Sequence, residues 1–162
     1  MKRRFEFEVV AECEQFLLYD LAADTVENFP EWTDEADKRL LAVEEGIIGV
    51  GTRHDGIVSV VVEIADCEPD EEMSRWDQVN ETTIEVPSGR LIVAGIFDFL
   101  RDARPIDLEP GSYRTRLYYG DLGALSNGTF SNEHYKAIMW SAAHGPLLVL
   151  KQASIRTKER IN

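Results

Sequence analysis

Hydrophobic residues in this chain fall in short runs, not along helical stripes. Phe5, Phe7 and Val9 alternate with Glu6 and Glu8, the period of two expected of a half-buried strand. Further runs rich in Val, Ile, Phe and Tyr predict strands over 14–20, 46–52, 56–64, 82–86, 90–97, 112–119, 135–140 and 147–152. In the segment 112–119, Tyr113, Thr115, Leu117 and Tyr119 share one face. Arg114, Arg116 and Tyr118 take the other. Turn residues punctuate the runs. Asp55-Gly56 predicts a hairpin joining 46–52 to 56–64, and Pro87-Ser88-Gly89 a second joining 82–86 to 90–97. Asp107-Leu108-Glu109-Pro110-Gly111 and Asn127-Gly128 read as further turns.

One helix is predicted. Thr33 or Asp34 caps it, Asp34, Glu35 and Asp37 suit the positive end of its dipole, and Gly46 marks its end. Leu40, Leu41 and Val43 supply its apolar side. The stretch 68–76 is either a loop or one more helical turn. Many short strands with turn signals between them predict a mainly β chain, an antiparallel β-sandwich or partly open barrel with one or two short helices. No repeat or linker divides residues 1–162, so a single domain is expected.

Charge adds an asymmetry. Residues 1–90 hold 23 acidic and 8 basic side chains, a balance of −15, whereas residues 91–162 hold 7 and 9. The formal charge of −13 therefore resides in the first half. The densest stretch is 63–72, where Glu63, Asp66, Glu68, Asp70, Glu71 and Glu72 fall within ten positions with no base. Such a field repels nucleic acid and anionic membranes and attracts basic partners. The ordinary alternative is a solvated face that aids solubility.

The remaining chemistry is sparse. Cys13 and Cys67 form neither a C-x-x-C pair nor a disulfide framework, and Glu6 and Glu8 interrupt any signal-peptide core. A cytoplasmic protein with reduced thiols is expected. His54, His134 and His144 match no zinc spacing, and the acidic run lacks the order of a calcium loop, so no metal or cofactor is expected. There is no nucleophile elbow and no phosphate-binding glycine loop. Arg114 and Arg116 are either a small anion site or partners of the protein's own carboxylates. Trp32 and Trp76 flank acidic clusters and are either binding anchors or packing residues at the sandwich ends.

Several pieces, in order, resemble the competence protein J family, the ComJ-type inhibitors of a DNA-entry nuclease. They are Gln15-Phe16, Trp32-Thr33-Asp34-Glu35, Gly46-Ile47, Val86-Pro87 before Gly89, and Leu108-Glu109-Pro110-Gly111-Ser112-Tyr113. The resemblance spans about residues 14–118. Residues 119–162 form an extension beyond it, and the acidic run is longer than the family requires. The resemblance implies a small β-rich domain and inhibition of a nuclease. It supplies no functional residue.

Together these readings favour a non-enzymatic, immunity-type inhibitor that occludes a basic protein, most simply a nuclease. Its contact residues would be Trp32, Asp34, Glu35, Asp37, Asp66, Glu68, Asp70, Glu71, Glu72 and Trp76. A nuclease binds phosphates with Lys and Arg, and carboxylates on an inhibitor compete for the same cations. The alternatives are a β-sandwich module for a small molecule, metal or carbohydrate, and an enzyme using paired acids.

Overall fold

The computed structural model describes residues 2–97, 104–123 and 130–154. Its strands are β1 (Arg3–Ala11), β2 (Gln15–Asp20), β3 (Leu41–Glu44), β4 (Ile47–Gly51), β5 (Gly56–Ala65), β6 (Gln78–Val86), β7 (Arg90–Gly95), β8 (Ile106–Asp107), β9 (Gly111–Gly120), β10 (Phe130–Ser141) and β11 (Leu148–Lys151). The helix α1 (Asp34–Arg39) lies between β2 and β3. A six-stranded sheet runs β1-β5-β10-β9-β6-β11 and a five-stranded sheet β3-β4-β2-β7-β8. The chain is therefore mainly β, as its periodicity predicts. The larger sheet is mixed, because β10 runs parallel to β5 while its other pairings are antiparallel.

The two sheets enclose one apolar core. Val58, Val60, Val62, Ile84, Leu117 and Tyr119 face Phe16, Leu18, Ile48, Val50, Leu91 and Val93. These residues alternate along their strands, so each strand presents its other face outward. Tyr113, Leu117 and Tyr119 point inward and Tyr118 belongs to a separate outer cluster, the alternation read from 112–119. Tyr113 donates its hydroxyl to the Glu109 carbonyl at 2.5 Å, bracing the turn into β9.

The turns form where expected, but two of them do not close hairpins. β4 pairs with β2 and β3, whereas β5 pairs with β1 and β10. β6 pairs with β9 and β11, whereas β7 pairs with β2 and β8. The segments at 52–55 and 87–89 are thus arches that carry the chain from one sheet to the other. Asp20 holds the second arch. It is buried and accepts hydrogen bonds from the Ser88 amide (3.2 Å) and hydroxyl (2.5 Å). The Asn127-Gly128 turn lies outside the described residues.

The helix is shorter than its sequence predicts. Leu40 caps it in the left-handed region (φ 59°), and Leu41–Glu44 continue as a strand. Burial decides this: Leu41 reaches the core only from β3, paired with Val50. The carbonyls of the last turn find partners on the larger sheet. Asn80 donates to the Arg39 carbonyl at 2.7 Å and Tyr119 to the Leu40 carbonyl at 2.6 Å. Such satisfaction of terminal carbonyls fixes where the helix sits. No helix among the described residues is long and apolar enough to cross a membrane. Residues 66–76 form a loop without strand or helix.

Candidate functional site on the acidic loop

The outer face of the larger sheet is highly charged. The alternation that sends Tyr119 inward sends Arg114, Arg116 and Tyr118 outward. Across the ladder they meet Thr83, Glu81 and Val79 of β6 and Trp140, Ile138 and Lys136 of β10. Glu81 is buried and accepts from both arginines: Arg114 Nη2 at 2.8 Å and Arg116 Nε at 2.9 Å. Arg116 also stacks over the Trp140 ring at 5.6 Å. The two arginines therefore pair with the protein's own carboxylates and do not form an open anion site.

Glu63, the first acid of the run, is 4% exposed. Lys2 and Lys136 lie 3.2 Å from its carboxylate and Arg4 3.3 Å. Burial pushes the Glu63 carboxyl up, but hydrogen bonds and charges from Lys136 and Lys2 outweigh it and hold it below the usual carboxylate range.

Beyond β5 the acidic run folds back across this face. Arg116 Nη2 donates to Glu68 at 2.8 Å, and its Nη1 donates to the Pro69 carbonyl at 3.1 Å. Lys136 donates to Glu71 Oε1 at 3.0 Å. Met73 and Trp76 then pack on Val79, Tyr118, Ile138 and Trp140. Trp76 packs with tilted rings against Tyr118 at 5.4 Å and His134 at 5.2 Å. Around Trp76 the loop leaves an open depression of about 440 Å³, lined by Glu71, Glu72, Arg75, Trp76 and His134.

Nine of the ten predicted contact residues divide between two surfaces. Asp66, Glu68, Asp70, Glu71, Glu72 and Trp76 lie on the loop, with Asp66, Glu68, Asp70 and Glu72 exposed. Asp34, Glu35 and Asp37 occupy the first turn of α1, where Thr33 Oγ1 accepts from the Ala36 amide at 3.1 Å. The end of β11 joins the two. Lys151 donates to the Met73 carbonyl at 3.2 Å, and Gln152 donates to the Lys38 carbonyl at 3.0 Å. Trp32 is on the opposite side of the sandwich from Trp76. It lies on the outer face of the smaller sheet, where it donates to Gln15 at 3.0 Å. Its ring sits 3.2 Å from where a Cβ on Gly49 would stand, so glycine there makes room for it.

Composition and motif spacing do not single out Glu81, Lys136 or Tyr118. Their signal is the alternation of β9 and β10, but their partners are set by pairings between distant segments. His54, His134 and His144 lie 3.5–3.6 Å from Glu133, Asp121 and Glu85 respectively. No group of three or more metal-ligating side chains occurs among the described residues. Cys13 and Cys67 are free and exposed.

This fold has solved counterparts. ComJ from Bacillus subtilis, an inhibitor of the DNA-degrading activity of NucA, superposes with a TM-score of 0.70 over 88% of this chain and 99% of that one. The fold is that of ComJ. A second structure, crocagin biosynthetic gene J, matches with a TM-score of 0.61 over the same shares. Sequence identities are 15% to ComJ and 16% to the crocagin protein, so what is shared is the ComJ fold. No family model and no curated protein sequence matches the chain.

Proposed function

We propose that this protein is a non-enzymatic inhibitor that binds and occludes a basic protein partner, a nuclease, through the acidic loop and the first turn of α1. The observation that carries the reading is the ComJ fold over 88% of the chain, combined with a surface that keeps exposed carboxylates beside an aromatic depression. ComJ itself inhibits a DNA-degrading protein. A DNA-degrading cleft presents cations to phosphates, and an acidic face opposes such a cleft directly.

The contact divides by which carboxylates are ion-paired within the chain. Glu68 and Glu71 spend part of their charge on Arg116 and Lys136, which seats the loop. Asp70 and Glu72, together with Asp34 and Glu35, meet the partner's cations, and Trp76 supplies the apolar contact. Trp32, on the other face, packs between Gln15 and Gly49 and lies outside this surface.

The test is capture of a basic nuclease from the same genome by the immobilised protein at low and high salt. Retention near 0.1 M salt and loss towards about 1 M, where the screening length falls from about 10 to about 3 Å, is the expected result. No retention at low salt overturns the reading.

A further inference from the structure

The larger sheet ends on an open apolar edge. β11 pairs with β6 on one side, and no described strand pairs with it on the other. Its residues Leu148, Val149 and Leu150 are 41%, 43% and 36% exposed. An unpaired edge offers backbone donors and acceptors to any extended chain, and proteins usually guard it with charge or cover. The remaining sheet edges among the described residues differ. β1 carries Arg3, Arg4, Glu6 and Glu8, β8 is two residues long, and β3 keeps Leu41 and Ala42 buried. The base on β11 is Lys151, and its ammonium is turned to the Met73 carbonyl.

Other contacts hold β11 in place. Arg114 donates to the Pro146 carbonyl at 2.8 Å, the Gly145 amide to the Thr83 hydroxyl at 3.0 Å, and the Ala153 amide to the Gln78 side chain at 2.7 Å. Leu147 and Ala153 pack against the core. A strand fixed in this way loses little conformational freedom on pairing.

Size and charge select the occupant. The register on β6 shifts after Val149, so the edge is short. Four residues bury far less than the roughly 800 Å² per partner of a stable interface, so pairing here must belong to a larger contact. The neighbouring surfaces supply one. Lys151 ties the strand to the acidic loop at Met73, and Gln152 ties the chain to α1 at Lys38. A second copy would bring one charge of −13 against another. A basic segment satisfies both the apolar edge and the acids on either side.

We infer that β11 is the edge on which the basic partner adds an extended segment as one more strand. Its apolar side chains cover Leu148, Val149 and Leu150, and its Lys or Arg side chains reach towards the loop and α1. This rests on the inhibitor reading and deepens it, by adding a backbone-paired register to a contact driven by charge.

The test follows amide hydrogen exchange at 148–151 in the full chain by NMR. The probe is the acetylated, amidated peptide Lys-Val-Thr-Val-Thr-Val-Lys, and the same peptide with Glu in place of Lys is the control. The basic peptide should slow exchange at these amides and the acidic peptide should not. Val149→Asp should weaken the response roughly tenfold, the scale of one well-packed interface residue, although it adds a negative charge. An undiminished response in Val149→Asp would reduce the binding to charge attraction and overturn the edge. Equal slowing by both peptides, or slowing by neither, overturns it too. Slow exchange that grows with the concentration of the free chain marks a second copy as the occupant, and slow exchange already present in the dilute free chain marks cover by the chain itself; either overturns the proposal. If Val149→Asp lowers the urea midpoint, the two peptides on the unaltered chain decide. Nuclease capture is scored separately. A captured nuclease that leaves exchange at 148–151 unchanged sinks the edge alone, whereas a response to the basic peptide without capture sinks the inhibitor reading and leaves the edge standing.

Discussion

Glu81 and Glu68 both hold Arg116, at 2.9 and 2.8 Å, but their environments differ sharply. The Glu81 side chain is 9% exposed and that of Glu68 67%. Removing the buried partner strands two guanidinium groups with little water to solvate them, whereas an exposed pair is screened. Glu81→Gln should therefore cost about 3 kcal/mol in urea unfolding. Glu68→Gln should cost less than about 1 kcal/mol. Equal losses would contradict the assignment.

Glu63 makes a pH-dependent contribution. Its carboxyl titrates lower in the native state than in the unfolded chain, so the stability it adds is full above the ordinary carboxylate range. That stability is lost as pH falls through the native value. Unfolding of Glu63→Gln against wild type should show a deficit at pH 7 that closes below about pH 4. A deficit independent of pH would refute this. These residues also show what the sequence conceals. The acidity of 63–72 is plain in it, but the neutralisation is not. Arg116 and Lys136 lie 48 and 65 positions from the loop carboxylates they hold.

At the level of elements, local chemistry is legible in the sequence and pairing is not. Alternation alone puts Tyr113, Leu117 and Tyr119 on one face, because a strand has only two, and packing against the second sheet makes that face the core. Turn residues mark 87–89 equally well. Yet Pro87-Ser88-Gly89 serves an arch between sheets as readily as a hairpin within one, since both need the same backbone reversal. The parallel pairing of β5 with β10 leaves no local trace. The helix prediction over-runs for a related reason: Leu41 and Val43 suit either element, and only burial against Val50 makes them a strand. The arch carries its own prediction. Gly89 has φ +70°, and a Cβ there would stand 2.7 Å from the Leu108 carbonyl oxygen. Gly89→Ala should lower stability by about 1–2 kcal/mol or more, read from the urea midpoint, because the left-handed backbone alone costs that much. An unchanged midpoint would show that the arch relaxes freely.

At the scale of the whole molecule, the chain joins the ComJ fold to a formal charge of −13. In the inhibitor account the fold supplies the scaffold, and the charge would supply the attraction to a cationic cleft. The internal pairs on the larger sheet matter to this account, because they consume the buried charges and leave the loop tip and α1 to face a partner. Electrostatic attraction of this kind acts mainly on the association rate, which should fall steeply with added salt while dissociation changes little. The inhibitor account is tested most directly by DNA degradation. A basic nuclease from the same genome is mixed with rising amounts of this protein, and cleavage of a plasmid is followed. The account predicts that cleavage stops at an equimolar ratio at low salt and that Glu72→Gln or Trp76→Ala shifts this point upward. Undiminished cleavage with the protein in large excess would contradict it.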